Sequence, residues 1–216
     1  KALVEGDKIV ISATDPFIQN KIVKLINKGS LSLVLEKPLC YDIETYNWLR
    51  KSIYNRPNRT LVGFYNLLNP NFRALRSNLI RNWGKVKKLT ISDGSNGPIR
   101  KSLSPYFDWG PHVFSIIQGF PNSEKFRCEI FEEKSEMQCN YTLCGYLGKT
   151  KIKAFFGNNF TTKRRSILVE YTDGSDYLFD FGKKNTRKLR EMDRLLMLSK
   201  NYFFKEKYKG CKFYSP

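Results

Sequence analysis

Over the first 65 residues, short apolar runs alternate with stretches of helical length, and that alternation restricts the chain to a parallel α/β start. Lys8-Ile9-Val10-Ile11-Ser12-Ala13 reads as a buried strand that ends in Thr14-Asp15-Pro16, a turn with helix-start character. Residues 17–28 follow with Ile18, Ile22, Leu25 and Ile26 on one helical face and Asn27-Lys28-Gly29 as a stop. Residues 31–35 form the next strand, closed by Glu36-Lys37-Pro38. Asp42 is placed to cap a helix over 43–54 with Tyr46, Leu49 and Ile53 inward, and residues 60–65 are a third strand. Strands separated by helices of this length pair in parallel, and functional loops of such sheets lie at the strands' carboxyl ends. Thr14-Asp15-Pro16 and Glu36-Lys37-Pro38 both fall there.

The pattern changes beyond residue 65. A helix is expected over 71–83, with Phe72, Leu75, Leu79 and Ile80 apolar, then a strand over 86–92 and a polar loop over 93–104. Residues 108–120 read as a helix that tolerates Gly110 and Pro111 near its start. Strands are expected near 125–133, 136–143, 150–157, 166–172 and 175–181, with Thr172-Asp173-Gly174-Ser175 as the last hairpin turn. A helix over 187–207, with Leu189, Met192, Leu195 and Leu196 inward, closes the chain. The expected fold class is therefore α/β plus α+β: an incomplete Rossmann-like parallel sheet over 1–65, then an open, mostly antiparallel sheet flanked by helices over 66–216.

The net charge of +18, from 38 basic and 20 acidic residues, favours anionic partners. A nucleic-acid-binding module rests on that charge alone, because no recognised signature accompanies Lys85-Val86-Lys87-Lys88, Lys163-Arg164-Arg165 or Lys183-Lys184. Those stretches serve equally as phosphate contacts or solvated edges. Five scattered cysteines, Cys40, Cys128, Cys139, Cys144 and Cys211, make neither a complete disulfide framework nor a zinc signature. They fit a reducing compartment, and no apolar run approaches 18 residues, so a cytoplasmic chain without membrane contact or metal is expected. The chain opens on Lys1 rather than Met, which points to residues upstream.

Three side chains stand out chemically. Lys37 sits at a strand exit between Glu36 and Pro38, and Pro38 biases it toward extended backbone. A lysine with a lowered pKa exchanges protons with a substrate hydroxyl, although a surface lysine or structural ion pair fits the same spacing. Asp108 and His112, the only histidine, lie one helical turn apart and suit a carboxylate that orients and an imidazole that moves a proton. A lone His beside Trp109 and Phe114 is also compatible with a merely satisfied buried side chain. Thr14 and Asp15 fit either a cofactor contact or a helix cap.

Taken in order, Lys8 to Asp15, Glu36-Lys37-Pro38-Leu39, Val62-Gly63-Phe64, Asn69-Pro70, Gly84-Lys85-Val86 and Asp108-Trp109-Gly110-Pro111-His112 resemble the glucose-fructose oxidoreductase / inositol dehydrogenase (Gfo/Idh/MocA-like) superfamily. Residues 121–216 match that family by layout, with Phe155-Phe156-Gly157 and the Asp173-Gly174 hairpin. The resemblance implies hydride transfer between NAD or NADP and a carbon bearing a hydroxyl of a sugar, cyclitol or nucleotide-sugar-like substrate. It implies Lys37, Asp108 and His112 as catalytic residues, with Ala13, Thr14, Asp15, Glu36, Lys37 and Pro38 lining the cofactor. It further implies a homo-oligomer formed through the C-terminal sheet. The family's glycine-rich first turn has no counterpart here, Ala13-Thr14-Asp15 replaces the frequent Thr-Pro-Asn, and Asn66 stands where an arginine is common. The expectation is a truncated oxidoreductase; the alternative is a non-catalytic scaffold or sensor with a degenerate cofactor site.

Overall fold

The computed structural model describes residues 9–26, 32–55, 60–100, 103–135 and 138–182. The expected helix over 187–207, the Asn27-Lys28-Gly29 stop, Lys183-Lys184 and Cys211 lie outside the described residues. These residues divide into two compact units, 9–65 and 66–182. No described helix is long and apolar enough to cross a membrane.

In the first unit, β1 (Ile9–Ser12), β2 (Ser32–Leu35) and β3 (Thr60–Val62) form a parallel sheet in the order β1-β2-β3. Consecutive Leu33, Val34 and Leu35 are all buried, as both faces of a parallel strand must be when helices supply its crossovers. Two helices do so: α1 (Pro16–Ile26) and α2 (Ile43–Tyr54). Val23 of α1 and Leu49 and Ile53 of α2 form one cluster with Leu33 and Leu35. Asp42 caps α2 by accepting the Thr45 N–H at 2.7 Å, as its position in the sequence predicts.

The inward face of α1 corrects the expected one. Ile18 and Leu25 are 49% and 81% exposed, while Pro16, Gln19 and Val23 are buried. Apolar residues surround this helix (Phe17, Ile18, Ile22, Val23, Leu25), so periodicity alone selects no face. Packing selects the stripe at 16, 19 and 23, which includes a glutamine.

In the second unit, six strands run in the order β5-β6-β7-β4-β8-β9: β4 (Val86–Asn96), β5 (Arg127–Ser135), β6 (Gln138–Leu147), β7 (Thr150–Gly157), β8 (Asn159–Tyr171) and β9 (Asp176–Asp180). Only β4 with β7 pairs in parallel, so the sheet is mostly antiparallel. Its inner face, with Leu89, Ile91, Leu143, Ile152, Ala154, Phe156, Ile167 and Val169 almost fully buried, packs on two helices, α3 (Pro70–Arg81) and α4 (Pro105–Gln118). Phe72 and Leu79 of α3 and Val113, Ile116 and Ile117 of α4 supply the opposite side of that core, whereas the expected core residue Ile80 is 40% exposed. The hairpin at Asp173-Gly174 joins β8 to β9, with Gly174 at φ 87°.

Three boundaries move. Helix α4 starts at Pro105 rather than 108, because Ser104 caps it by accepting the Tyr106 N–H. This places Asp108 in its first turn and Pro111 inside it. Strand β4 continues through Asp93 to Asn96, where a polar loop is expected, and β8 starts at Asn159 instead of 166. One contact explains both extensions: Asp93 and Arg165 face each other across β4 and β8 and are ion-paired at 3.1 Å. Their charges make both segments read as loop or solvated edge, yet the Asp93 side chain is only 3% exposed.

Candidate active site

The parallel register puts Ser12 opposite Leu35, so Ala13-Thr14-Asp15 and Glu36-Lys37-Pro38 leave the sheet side by side. Of the residues expected to line a cofactor, Ala13, Thr14 and Asp15 are exposed, Glu36 and Lys37 half-buried and Pro38 buried. Asp15 works locally. Its Oδ1 accepts the Phe17 N–H at 2.9 Å at the start of α1, and its Oδ2 accepts the Tyr41 hydroxyl at 3.0 Å.

Sequence reasoning missed Gln19, which is 1% exposed. Its side-chain amide donates to the carbonyl of Glu36 at 2.8 Å and to that of Pro38 at 3.3 Å, and its oxygen accepts the Glu36 N–H at 2.9 Å. One side chain thus satisfies the backbone on either side of Lys37, which fixes the segment at the carboxyl edge of β2. The available signal was a glutamine inside an apolar helix three residues after Pro16; assigning the wrong face to α1 concealed it.

Asp108 and His112 belong to the other unit, one turn apart on α4, where they are 8% and 2% exposed. Burial of a carboxylate and an imidazole on one helix is costly unless both are partnered. Arg100 Nη1 lies 3.5 Å from Asp108 Oδ2. Trp109, between Asp108 and His112 in sequence, is buried with the Arg165 guanidinium 5.6 Å from its ring centre, and Arg165 reaches on to Asp93. Helix α4 can lie close to the sheet because residue 110 is glycine: a Cβ there would sit 3.3 Å from the Phe156 ring. Asn66 is buried with its side-chain nitrogen lacking a hydrogen-bond partner among the described residues.

The exposed turn after β1 and the segment after β2 that Gln19 holds are the parts of this unit open to a ligand at the sheet's carboxyl edge. Among the described residues, no glycine-rich turn follows β1, β2 or β3, so none of them offers a pyrophosphate cradle. No described group of His, Cys, Asp and Glu is arranged to hold a metal ion.

No protein-family model and no curated protein matches the sequence. Solved structures do. A dehydrogenase from Chromobacterium violaceum superposes with a TM-score of 0.70 at 15% identity, over 82% of this chain and 54% of that one. A Gfo/Idh/MocA family oxidoreductase from Vibrio cholerae gives 0.67 at 14% identity, over 91% and 69%. This chain has the Gfo/Idh/MocA oxidoreductase fold. Scyllo-inositol dehydrogenase from Lactobacillus casei, solved with NAD(H) and scyllo-inositol, matches at 0.69 and 15% identity, covering 94% of this chain and 70% of that one. The chain therefore spans between about half and seven-tenths of the length of these structures.

Proposed function

We propose that the chain is part of an NAD(P)-dependent oxidoreductase that acts on a hydroxyl or carbonyl group of a sugar, cyclitol or nucleotide-sugar-like molecule. The observation that carries this reading is the Glu36-Lys37-Pro38 segment, held by Gln19 at the carboxyl edge of a parallel sheet, in a fold whose L. casei example binds NAD(H) and a cyclitol. When bound, the nicotinamide supplies a carbon that accepts or returns hydride. Ala13, Thr14, Asp15, Glu36, Lys37 and Pro38 would hold it. In the oxidising direction His112 would take the hydroxyl proton as the carbinol hydrogen is given up as hydride to that carbon and the carbonyl forms. Lys37 would donate a hydrogen bond to a substrate oxygen, and Asp108 would accept one from a substrate hydroxyl, orienting the ring.

A cytoplasmic homo-oligomer built on the outer face of the six-stranded sheet completes the proposal. Thr142, Phe155, Ser92 and Ser166 form one row across that face and none is fully buried. A scaffold or sensor with a degenerate site is the second reading. Asp15 favours it, because both carboxylate oxygens are engaged within the chain.

The test is calorimetric titration of NAD(H) and NADP(H) into the whole protein of which this chain is part, then turnover on a panel of polyols. The expected result is binding of one cofactor and turnover that falls about 10²- to 10⁴-fold in Lys37→Ala and in His112→Ala. Binding of neither cofactor, or turnover within twofold of the parent in Lys37→Ala, overturns the enzyme reading.

A further inference from the structure

The connection between β4 and α4 brings a basic side chain to Asp108 and anchors it there. Gly97, at φ 70°, donates its N–H to the Asn158 carbonyl at 2.9 Å and accepts the Ser95 hydroxyl at its own carbonyl. Asn158 is 2% exposed; its side chain donates to the Pro98 carbonyl at 3.4 Å and accepts the Cys139 N–H at 2.8 Å. Arg100 therefore follows a segment stapled to the sheet rather than a free arm. Residues 97–104 include two basic residues, Arg100 and Lys101, and no acidic one.

The Arg100–Asp108 pair is asymmetric. The Arg100 side chain is 53% exposed and that of Asp108 only 11%, and their 3.5 Å separation exceeds the roughly 2.7–2.9 Å of a full charge-assisted hydrogen bond. A pair built only to neutralise a buried carboxylate gains most from short, bidentate contact. Here a guanidinium with five N–H donors makes one long side-chain contact among the described residues and keeps much of its surface open.

We propose that Arg100 is a specificity residue: the polyol oriented by Asp108 carries an anionic group, carboxylate or phosphate, and Arg100 binds it. The inference rests on the oxidoreductase reading and gives that site its substrate class. The chain's +18 charge acts in the same sense by steering anions toward it.

Calorimetry on the whole protein of which this chain is part, with its cofactor, tests this, using D-glucose, D-glucuronate, D-glucose 6-phosphate, myo-inositol and myo-inositol 1-phosphate as probes. An anionic member binds at least tenfold more tightly than its neutral parent, and raising NaCl from 50 to 300 mM erodes that margin. Arg100→Ala brings the anionic compound down to the affinity of the neutral one, and Arg100→Lys keeps part of the difference. Preference for glucuronate over the phosphates identifies a carboxylate, and the reverse a phosphate. Equal affinity for neutral and anionic partners overturns the proposal, as does an Arg100→Ala variant that weakens both alike, the result for a purely structural partner of Asp108. Cofactor binding with no sugar bound overturns the substrate class alone; no binding of either cofactor or sugar overturns the oxidoreductase reading beneath it.

Discussion

Gln19→Leu tests whether a single amide holds the Lys37 segment. Leucine matches the glutamine in size and suits a site 1% exposed, but it offers no donor or acceptor. The Glu36 N–H keeps a partner, because it also donates to the Ser12 carbonyl at 2.9 Å. The Glu36 and Pro38 carbonyls lose the bonds at 2.8 and 3.3 Å. A hydrogen bond contributes about 1 kcal/mol net, the share lost at the half-buried Glu36, and an orphaned buried group costs about 1–3 kcal/mol, the share lost at Pro38, so the loss is roughly 2–4 kcal/mol. Burial of the more apolar leucine returns about 1 kcal/mol. The first unit is then destabilised by about 1–3 kcal/mol, which speeds opening-limited amide exchange in 32–36 about 5- to 150-fold at about 1.4 kcal/mol per tenfold. Hydrogen-exchange mass spectrometry of peptides spanning 32–40 reads this directly. Gln19→Glu sharpens the test. A carboxylate there faces two carbonyl oxygens, so its neutral form is favoured on folding and its folded pKa is raised above the ordinary value near about 4.3. That variant gains stability as pH falls through the raised value and loses it as pH rises. Exchange within threefold of the parent in Gln19→Leu would refute the claim that this amide holds the segment.

Asp93→Ala strips Arg165 of its ion pair beneath Trp109; with Arg165 one-fifth exposed, the cost is about 2–3 kcal/mol, below the range for a fully buried pair. It is checked by denaturant unfolding together with loss of Trp109 near-ultraviolet dichroism, and recovery in Asp93→Leu/Arg165→Met separates charge from packing. Gly157→Ala places a Cβ 2.2 Å from the Cys139 carbonyl oxygen at φ 149°, so a loss of at least about 3 kcal/mol is expected in thermal melts. The Thr45 backbone and side chain hold the Asp42 carboxyl below its ordinary value of 3.8. Its stabilising share is complete above that ordinary value and disappears as pH falls through the lowered one. The α2 cap of Asp42→Asn, which cannot titrate, should therefore give a melting temperature that changes less than the parent's between pH 6 and pH 3.

Legibility followed how directly local chemistry decides structure. The β1-α1-β2-α2-β3 order was readable because Leu33, Val34 and Leu35 form an uninterrupted apolar run and Asp42 marks a helix start. The facing of α1 was not, since a helix apolar on several sides is oriented only by the sheet it packs against. The hidden ends of β4 and β8 share that cause: Asp93 and Arg165 look solvated singly and become buried only as a pair brought together across strands 72 positions apart (165 less 93). Lys37, Asp108 and His112 were visible as residue types at suggestive positions; Gln19 and Arg100 were not, because their importance lies in what they touch. The features that the sequence concealed are therefore its long-range polar contacts. Gln19 reaches 17 and 19 positions along the chain and Asn158 reaches 60; the first immobilises backbone beside Lys37, the second backbone two residues before Arg100. A chain that needed only to fold could place apolar residues at these buried positions. Retaining polar ones costs desolvation, which each amide offsets through the backbone groups it bonds: Glu36 and Pro38 for Gln19, Pro98 and Cys139 for Asn158.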